Sequence, residues 1–444
     1  MNTLSAAAAQ LDLQPVVGEP LTGFATRLEP STGCHDPLMA KVLLLDDGAT
    51  RLAWISCDVI GFSVADSTEL RRLIAERLAV PPANVLASCT HTHSGPSSMP
   101  FRGDLARVDQ QWLARTFQAI ADAAATLPAR LRPARLVYGT EVVTGLGYNR
   151  QDGAKPIDER LVVVQLRSVN DDEVIATVLN YATHPVTLGE RNLQFSGDYP
   201  GYATRAVERR IGGVGMFVLG AAGDVDPAIY RDQGRNAGTF AVAESMGRML
   251  AEAAMRALTD APSRADIRIS VAESHVELAL DPPPARHELQ ALKAQLLARR
   301  GPPDVIPASN EGKWAIFELA WVDDLERALR HDAVPRTFSV NITAVRLGDL
   351  HVVTFPFEMY SQIGLDLRRQ LAPRPVLIAG YTNGLIGYVP TDDAKHQGGY
   401  GPSASHRFFP GLLTAVGYGA DTIVTRAATE LLRALSWRSS SSTR

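Results

Sequence analysis

Two histidines one residue apart follow a short apolar run of the chain. His91 and His93 come directly after the run at 85–89, in the sequence T-H-T-H-S-G-P at 90–96. In extended backbone, residues i and i+2 point to the same side, so both imidazoles can enter one pocket. Neutral imidazole is a common zinc ligand, and a histidine can also act as an acid, a base or a substrate anchor. For this pair alone, a histidine-rich loop that binds no metal is the open alternative.

Polar residues follow apolar runs at several other places in the chain. His184 ends the run at 179–184, and a carboxylate, Glu358, comes after the run at 352–355. Tyr388 lies in a Gly-rich segment, with Tyr400 twelve positions further on. Each has a structural explanation when taken alone, since a histidine can end a strand and Glu358 can cap the helix that follows it. Their chemistry therefore depends on whether the fold brings them together.

The apolar runs alternate with amphipathic segments, which predicts an α/β fold with a mixed central β-sheet flanked by helices. Several polar candidates fall just after predicted strands, where open α/β sheets bind ligands. The predicted strands are 40–45, 51–57, 85–89, 135–138, 161–166, 174–181, 215–219, 266–278, 338–347, 350–355 and 376–380. The predicted helices are 67–78, 110–125, 202–211, 240–257, 359–371 and 420–435.

The domain prediction is one large unit with an insertion. Residues 284–332 contain two helix-like runs separated by a Gly-Pro-Pro break, which predicts a helical hairpin inserted into the α/β body. The hairpin could be surface packing, a lid or a dimer contact. We expect residues 1–20 to be an N-terminal extension, 21–436 the domain, and 437–444 a Ser-rich tail.

Composition narrows the class of protein. The 444 residues are 45% hydrophobic and 21% charged, as expected for a folded domain with a large core. A net charge of -4 without a basic stripe argues against nucleic acid. The three cysteines lack C-x-x-C spacing, and no apolar run is long enough to span a membrane. The start has no signal-peptide pattern, so we expect a cytoplasmic protein.

Taken together, these motifs resemble those of the neutral, non-lysosomal ceramidase family, zinc-dependent hydrolases of an N-acyl amide bond. The segment at 90–96 matches the family's T-H-T-H-S-G-P, and the resemblance extends from about Gly23 to about Ala420. Four further segments resemble motifs of the family. Residues 183–202 resemble A-x-H-x…S-G-D-x-x-G-Y-A, residues 149–150 resemble N-R-S, residues 356–358 resemble P-G-E, and residues 387–391 resemble H-Y-I-T-T. The spacing of the two tyrosines equals that of the family.

The resemblance implies a role for each candidate residue. It implies four Zn²⁺ ligands, which are His91, His184, Glu358 and Tyr388. It also implies that His93 is a proton donor or substrate anchor, and that Arg150 and Tyr400 stabilise the developing oxyanion. Zinc in such a site would lower the pKa of a water and polarise the scissile carbonyl.

This chain also departs from the family pattern. Where the family has S-N-x-G-D-V-S-P, residues 220–227 read G-A-A-G-D-V-D-P, so a serine and an asparagine are missing. Asp224 is kept, and we expect it to orient a ligand or brace the loop. We therefore expect a divergent bacterial-type member without the C-terminal immunoglobulin-like domain, with a substrate other than, or broader than, ceramide.

Three functions stay open at this point. The first is a zinc-dependent hydrolase that cleaves an amide or related acyl bond of a small-molecule or lipid-like N-acyl substrate through a metal-activated water. The second is a metal-dependent hydrolase or isomerase of a small polar metabolite, because the changed loop would reshape the pocket. The third is a non-catalytic binding relative. Homo-oligomerisation is an open option, and no cofactor beyond the metal is expected.

Overall fold

The computed structural model describes residues 4–103 and 107–437, so the tail predicted at 437–444 lies almost wholly outside the described residues. The strands are β1 (Ser5–Asp12), β2 (Gly33–Cys34), β3 (Met39–Asp46), β4 (Arg51–Cys57), β5 (Val85–Cys89), β6 (Arg132–Val142), β7 (Gly147–Asn149), β8 (Arg160–Ser168), β9 (Val174–Tyr181), β10 (Gln194–Phe195), β11 (Val214–Leu219), β12 (Val225–Pro227), β13 (Ser263–Arg264), β14 (Ile269–Ala279), β15 (Thr337–Leu347), β16 (Leu350–Thr354), β17 (Glu358–Met359), β18 (Val376–Ala379) and β19 (Tyr388–Val389). The helices are α1 (Val64–Leu78), α2 (Gln110–Thr126), α3 (Asp198–Ile211), α4 (Ala228–Gln233), α5 (Phe240–Leu258), α6 (Arg286–Arg300), α7 (Asn310–Arg330), α8 (Ser361–Leu371), α9 (Asp392–Gln397) and α10 (Ala420–Trp437).

The largest sheet is mixed, which confirms the predicted α/β class. Its strand order is β11-β9-β8-β6-β1-β3-β4-β5, and β13 adds to β6. The pairs β9–β11 and β4–β5 are parallel, while the remaining neighbours along that order are antiparallel. Strands β3, β5 and β9 are buried along nearly all of their length, as expected for strands covered on both faces.

The prediction that residues 1–20 form an extension is wrong, because Ser5–Asp12 is a strand in the middle of this sheet. It pairs with β3 along its whole length and joins the two halves of the sheet through β6. Four consecutive alanines follow Ser5 in this strand; they have weak β propensity and gave no strand pattern. Ala7 and Ala8 are nonetheless buried in the core. Burial between neighbouring strands therefore overrides the local preference.

A smaller sheet closes the core from another side. Its order is β14-β15-β16-β18, with only β16–β18 parallel. Apolar side chains of this sheet and of both halves of the large sheet share one core, for example Trp54, Val178 and Val352. Helices cover the outer faces, with α1 and α2 against β5 and β3, α3 and α5 against β11 and β8, and α8 and α10 against β18 and β14.

The predicted hairpin is present as two packed helices, α6 and α7. They bury a small apolar core of their own, which includes Leu296 and Trp321. Helix α7 begins after Ser309, whose side chain accepts a hydrogen bond from the Gly312 amide. Its aromatic side chains pack on the segment at 400–409, so the hairpin lies against the body near Tyr400. No helix in the described part of the chain is both long and apolar enough to cross a membrane.

Candidate metal centre

The ends of separate strands bring the predicted residues to one place. His91 follows β5 and His184 follows β9, while Glu358 follows β16 after one proline between two phenylalanines. Glu358 and Tyr388 are register partners in the short parallel pair β17–β19. Polar side chains thus collect beyond the carboxyl ends of buried strands, where an α/β sheet usually forms its site.

Backbone carbonyls orient the imidazoles of His91 and His184 through their Nδ1 atoms. His91 adopts a left-handed conformation, with φ 65°, and its Nδ1 lies 2.6 Å from the Ile60 carbonyl oxygen. His184 Nδ1 lies 2.7 Å from the Ala222 carbonyl oxygen. A carbonyl can only accept, so each Nδ1 carries a proton, and in the neutral imidazole each Nε2 then presents a lone pair. This is the tautomer that a metal-binding histidine needs.

The Nε2 atoms of three histidines lie close to one another and to one carboxylate oxygen. His93 Nε2 lies 3.3 Å from His91 Nε2, and the three imidazoles place one nitrogen each within 4.8 Å of one another. Glu358 Oε2 lies 3.1 Å from His184 Nε2 and 3.5 Å from His91 Nε2. His184 Nε2 makes no hydrogen bond of good geometry despite its distance to Glu358. Converging lone pairs with an unpartnered buried nitrogen fit a bound cation.

Burial sets the protonation states of this cluster. It lowers the pKa of His184, and Arg150 lowers it further. Burial, together with the neighbouring imidazoles of His91 and His184, holds the pKa of His93 well below its usual range. For Glu358, burial alone would raise the pKa, but the two adjacent imidazoles outweigh it and hold the pKa well below the ordinary value. Burial thus favours the neutral imidazoles of His93 and His184, and positive charge beside Glu358, whether on an imidazole or on a metal ion, favours its carboxylate; these are the forms that bind metals.

Arg150 connects Tyr388 to the altered loop at 220–227. Its Nη2 donates to the Tyr388 hydroxyl oxygen at 2.9 Å and to the Gly223 carbonyl at 2.8 Å, while Nη1 donates to Asp226 at 3.1 Å. Burial first, and then Glu358, raises the pKa of Tyr388 well above its ordinary value. Tyr388 is therefore a neutral phenol unless a further positive charge lies beside it.

Tyr400 lies at the outer edge of the cluster. Its ring meets the edge of Tyr388 with 5.7 Å between centroids, and it is 39% exposed. On its other side it packs against Trp314 of the hairpin and Phe408. All seven predicted site residues thus lie in one connected group, with Tyr400 reached through Tyr388.

Asp224 braces the loop. Its carboxylate accepts hydrogen bonds from Asn149 Nδ2 at 2.7 Å and from the Ser361 amide at 2.6 Å. These bonds tie 220–227 to β7 and to the start of α8. The loop in turn supplies the Ala222 carbonyl that orients His184. Of the two roles expected for Asp224, the structure supports the bracing one.

Two residues near the centre were missed from the sequence. Tyr381 packs its ring 4.3 Å from His91, and its hydroxyl donates to Glu358 Oε2 at 3.5 Å. Arg27 donates to the backbone carbonyl of His93. Tyr381 comes two residues after β18, so the rule that found Glu358, a polar side chain just past an apolar strand, could also have found it.

This chain is similar to known proteins in sequence and in fold. A model of the family "Neutral/alkaline non-lysosomal ceramidase, N-terminal" matches residues 11–244. Neutral ceramidase of Pseudomonas aeruginosa is 26% identical over 233 residues, which are 47% of this chain and 34% of the relative. Neutral ceramidase B of Dictyostelium discoideum is 24% identical over 237 residues, covering 47% of this chain and 33% of that protein. The matched regions thus span about a third of the curated relatives.

Solved structures match over a longer stretch. The crystal structure of neutral ceramidase from Pseudomonas aeruginosa superposes with a TM-score of 0.72 at 20% identity and covers 99% of this chain and 75% of that one. A ceramidase complexed with C2 gives the same TM-score at 19% identity, with 99% and 76% coverage. At this identity the structural similarity supports the fold alone. The family is assigned by the family model, which matches residues 11–244, more than half of the chain. The chain belongs to the neutral/alkaline non-lysosomal ceramidase family.

Proposed function

We propose that this protein is a zinc-dependent hydrolase that cleaves the amide bond of an N-acyl substrate. The proposal rests mainly on one observation: the Nε2 atoms of His91 and His184 both lie beside the Glu358 carboxylate. A backbone carbonyl holds the Nδ1 atom of each of these histidines. The matched relatives are named neutral ceramidases, which supports amide hydrolysis as the reaction class.

The donor set suits zinc. Imidazole nitrogen and carboxylate oxygen are standard zinc donors, and we assign His91, His184, Glu358 and Tyr388 as the ligands. Bound zinc would act as a Lewis acid. It would polarise the scissile carbonyl and lower the pKa of a bound water towards neutrality. The raised pKa of Tyr388 means that its hydroxyl would lose its proton only beside that added charge.

His93 is the residue that we assign to proton transfer. Its ring lies beside His91 and His184, and its Nε2 faces the centre, 3.3 Å from His91 Nε2. In its neutral form, which burial favours, the Nε2 of His93 can accept a proton from the attacking water. It would then pass that proton to the departing amine nitrogen, which cannot leave as an anion.

Arg150 and Tyr400 supply hydrogen-bond donors beside the reacting carbonyl. The guanidinium of Arg150 is held in one orientation by Asp226 and Gly223, so it need not reorganise as negative charge develops on the carbonyl oxygen. Tyr400, which is 39% exposed, lies on the solvent side of the cluster. We infer that the substrate enters from that side, along the hairpin.

Chelation and reconstitution test this function. The purified protein is assayed with a labelled N-acyl sphingosine and with short N-acyl amides, before and after treatment with a chelator and after addition of Zn²⁺. We expect hydrolysis to disappear on chelation and return with zinc, and the preferred substrate to show whether ceramide is among them. His287→Ala, an exposed histidine of α6, is the matched control for His184→Ala. Hydrolysis that persists without any metal would overturn the proposal.

A further inference from the structure

A buried guanidinium joins three parts of the chain that meet beside the metal centre. Arg102 is 4% exposed and follows His93 by nine positions, in the connection between β5 and α2. Its Nε donates to Asp324 Oδ2 of α7 at 2.9 Å. Its two Nη atoms donate to backbone carbonyls of the segment at 406–412. One side chain thus holds together the connection that carries both histidines, the hairpin and the segment that follows Tyr400.

Arg102 uses all of its hydrogen-bond donors inside the protein. A guanidinium has five N–H groups, and the one on Nε is donated to Asp324. The other four make hydrogen bonds of 3.0–3.2 Å to the carbonyls of His406, Arg407, Pro410 and Leu412. No donor is left for a ligand, so this arginine fixes structure and does not bind substrate.

The segment at 406–412 depends on donors from outside itself. It forms neither a strand nor an α-helix, so its carbonyls are not paired by a regular ladder. The backbone amide of Arg102 also donates to the Phe408 carbonyl, at 2.8 Å. A buried carbonyl without a donor costs about as much free energy as a lost hydrogen bond. Removal of the guanidinium would take a donor from four carbonyls at once, which favours a shift of this segment.

Helix α7 is fixed to the same segment by further contacts. Arg407 forms an ion pair with Glu318 and lies over the Trp321 ring, with its Cζ 4.9 Å from the centroid. Trp321 Nε1 donates to the Leu413 carbonyl at 2.7 Å. Together with the bond from Arg102 to α7, these contacts hold the helix along several of its turns, as expected for a fixed wall.

Tyr400 lies between two rings that belong to these joined elements. Its ring centroid is 5.7 Å from that of Trp314 on α7 and 5.9 Å from that of Phe408. Trp314 and Phe408 also contact each other, with 4.7 Å between centroids. On its inner side, Tyr400 meets Tyr388 at 5.7 Å. The position of Tyr400 beside the metal centre therefore depends on how α7 and the segment at 406–412 are held.

We propose that Arg102 is a positioning residue for Tyr400, and that α7 is a fixed wall of the site. Arg102 acts through the segment at 406–412 and through α7, without contact to the reacting atoms. The inference rests on the proposed function, because Tyr400 donates to the reacting carbonyl only there. It also assigns a role to the inserted hairpin, which supports Tyr400 and does not open as a lid.

The activity arm compares zinc-loaded wild type, Arg102→Met, Tyr400→Phe and the double variant in hydrolysis of a labelled N-acyl amide. We expect Arg102→Met to lower kcat at least tenfold and to change KM less than threefold, because a displaced donor is missed mainly in the transition state. In the Tyr400→Phe background the same substitution should lower kcat less than twofold. Arg102→Lys keeps three N–H donors and should recover part of kcat. An equal fall of kcat in both backgrounds would overturn the positioning role.

Arg71→Met is the matched control. Arg71 of α1 is 9% exposed and donates to the carbonyls of Pro82 and Val85, at the end of β5 away from His91. We expect this variant to lose stability to urea as Arg102→Met does and to keep the kcat of wild type. A comparable fall of kcat in Arg71→Met would make the effect one of general stability and would contradict the inference.

Hydrogen exchange read by mass spectrometry tests the position of the segment without any activity. Amides at 400–412 should exchange at least tenfold faster in Arg102→Met than in wild type, and at the wild-type rate in Arg71→Met. Unchanged exchange in Arg102→Met, or rapid exchange of α7 in wild type, would overturn the inference. A wild type that hydrolyses no amide would contradict the proposed function, whereas the exchange rates would still decide whether Arg102 holds this segment.

Discussion

Arg150→Met should separate the catalytic role of this guanidinium from its structural one. The substitution removes the hydrogen bonds to Tyr388, Gly223 and Asp226. The Asp226 carboxylate, only 1% exposed, would keep one cationic partner among the described residues, Arg235 at 3.4 Å. Breaking a buried ion pair by removing one partner costs about 3–5 kcal/mol, so we expect the free energy of unfolding to fall by about 3 kcal/mol.

The same substitution should lower kcat/KM at least 100-fold, which is the usual effect of removing one preorganised donor to an oxyanion. The double variant Arg150→Met, Asp226→Asn removes both charges, so it should recover most of the lost stability but none of the activity. Urea unfolding measures stability, and hydrolysis of a labelled N-acyl amide measures kcat/KM. Recovery of activity together with stability in the double variant would refute the catalytic role, as would full activity of Arg150→Met.

Three further predictions follow from the same structure. His93→Ala should keep bound zinc but lose hydrolysis at least 100-fold, as a proton-transfer residue would; loss of zinc in this variant would make His93 a ligand instead. Trp314→Ala removes the ring that packs on Tyr400 and should lower kcat severalfold while the melting temperature changes little; an unchanged kcat would argue against positioning by the hairpin. Burial lowers the pKa of His406 to about 3 from 6.5, so its contribution to stability is complete above pH 6.5 and is lost as the pH falls towards 3. His406→Asn should therefore abolish about 2 kcal/mol of the stability loss between pH 7 and pH 5; an unchanged pH profile of unfolding would contradict this.

Strand bounds and two of the candidate metal ligands could be predicted from short stretches of sequence. β4, β5 and β9 begin and end where the apolar runs predicted, because strands buried on both faces must be apolar throughout. His91 and His184 could be found for the same reason, since a polar residue directly after such a run has to lie at the edge of the sheet. That His91 and His184 lie close together depends on the topology of the sheet, and this was predicted only from the resemblance to the family motifs.

The rest depends on long-range packing that the sequence does not display. Ser5–Asp12 is a strand only because two neighbouring strands bury its alanines. Arg27 reaches His93 across 66 positions of the chain, from the irregular connection between β1 and β2. Tyr381 adopts φ 52°, a backbone conformation that is rare for a tyrosine and that tertiary contacts must impose. Such positions are decided by the assembled fold.

Metal content of the purified protein tests the central claim most directly. Elemental analysis by mass spectrometry should find close to one zinc per chain in wild type and in His287→Ala. The double variant His91→Ala, His184→Ala should contain almost none while its circular dichroism spectrum stays that of a folded protein. Absence of zinc from wild type after expression in zinc-supplemented medium, or equal zinc in the folded double variant, would contradict a metal centre built on these residues.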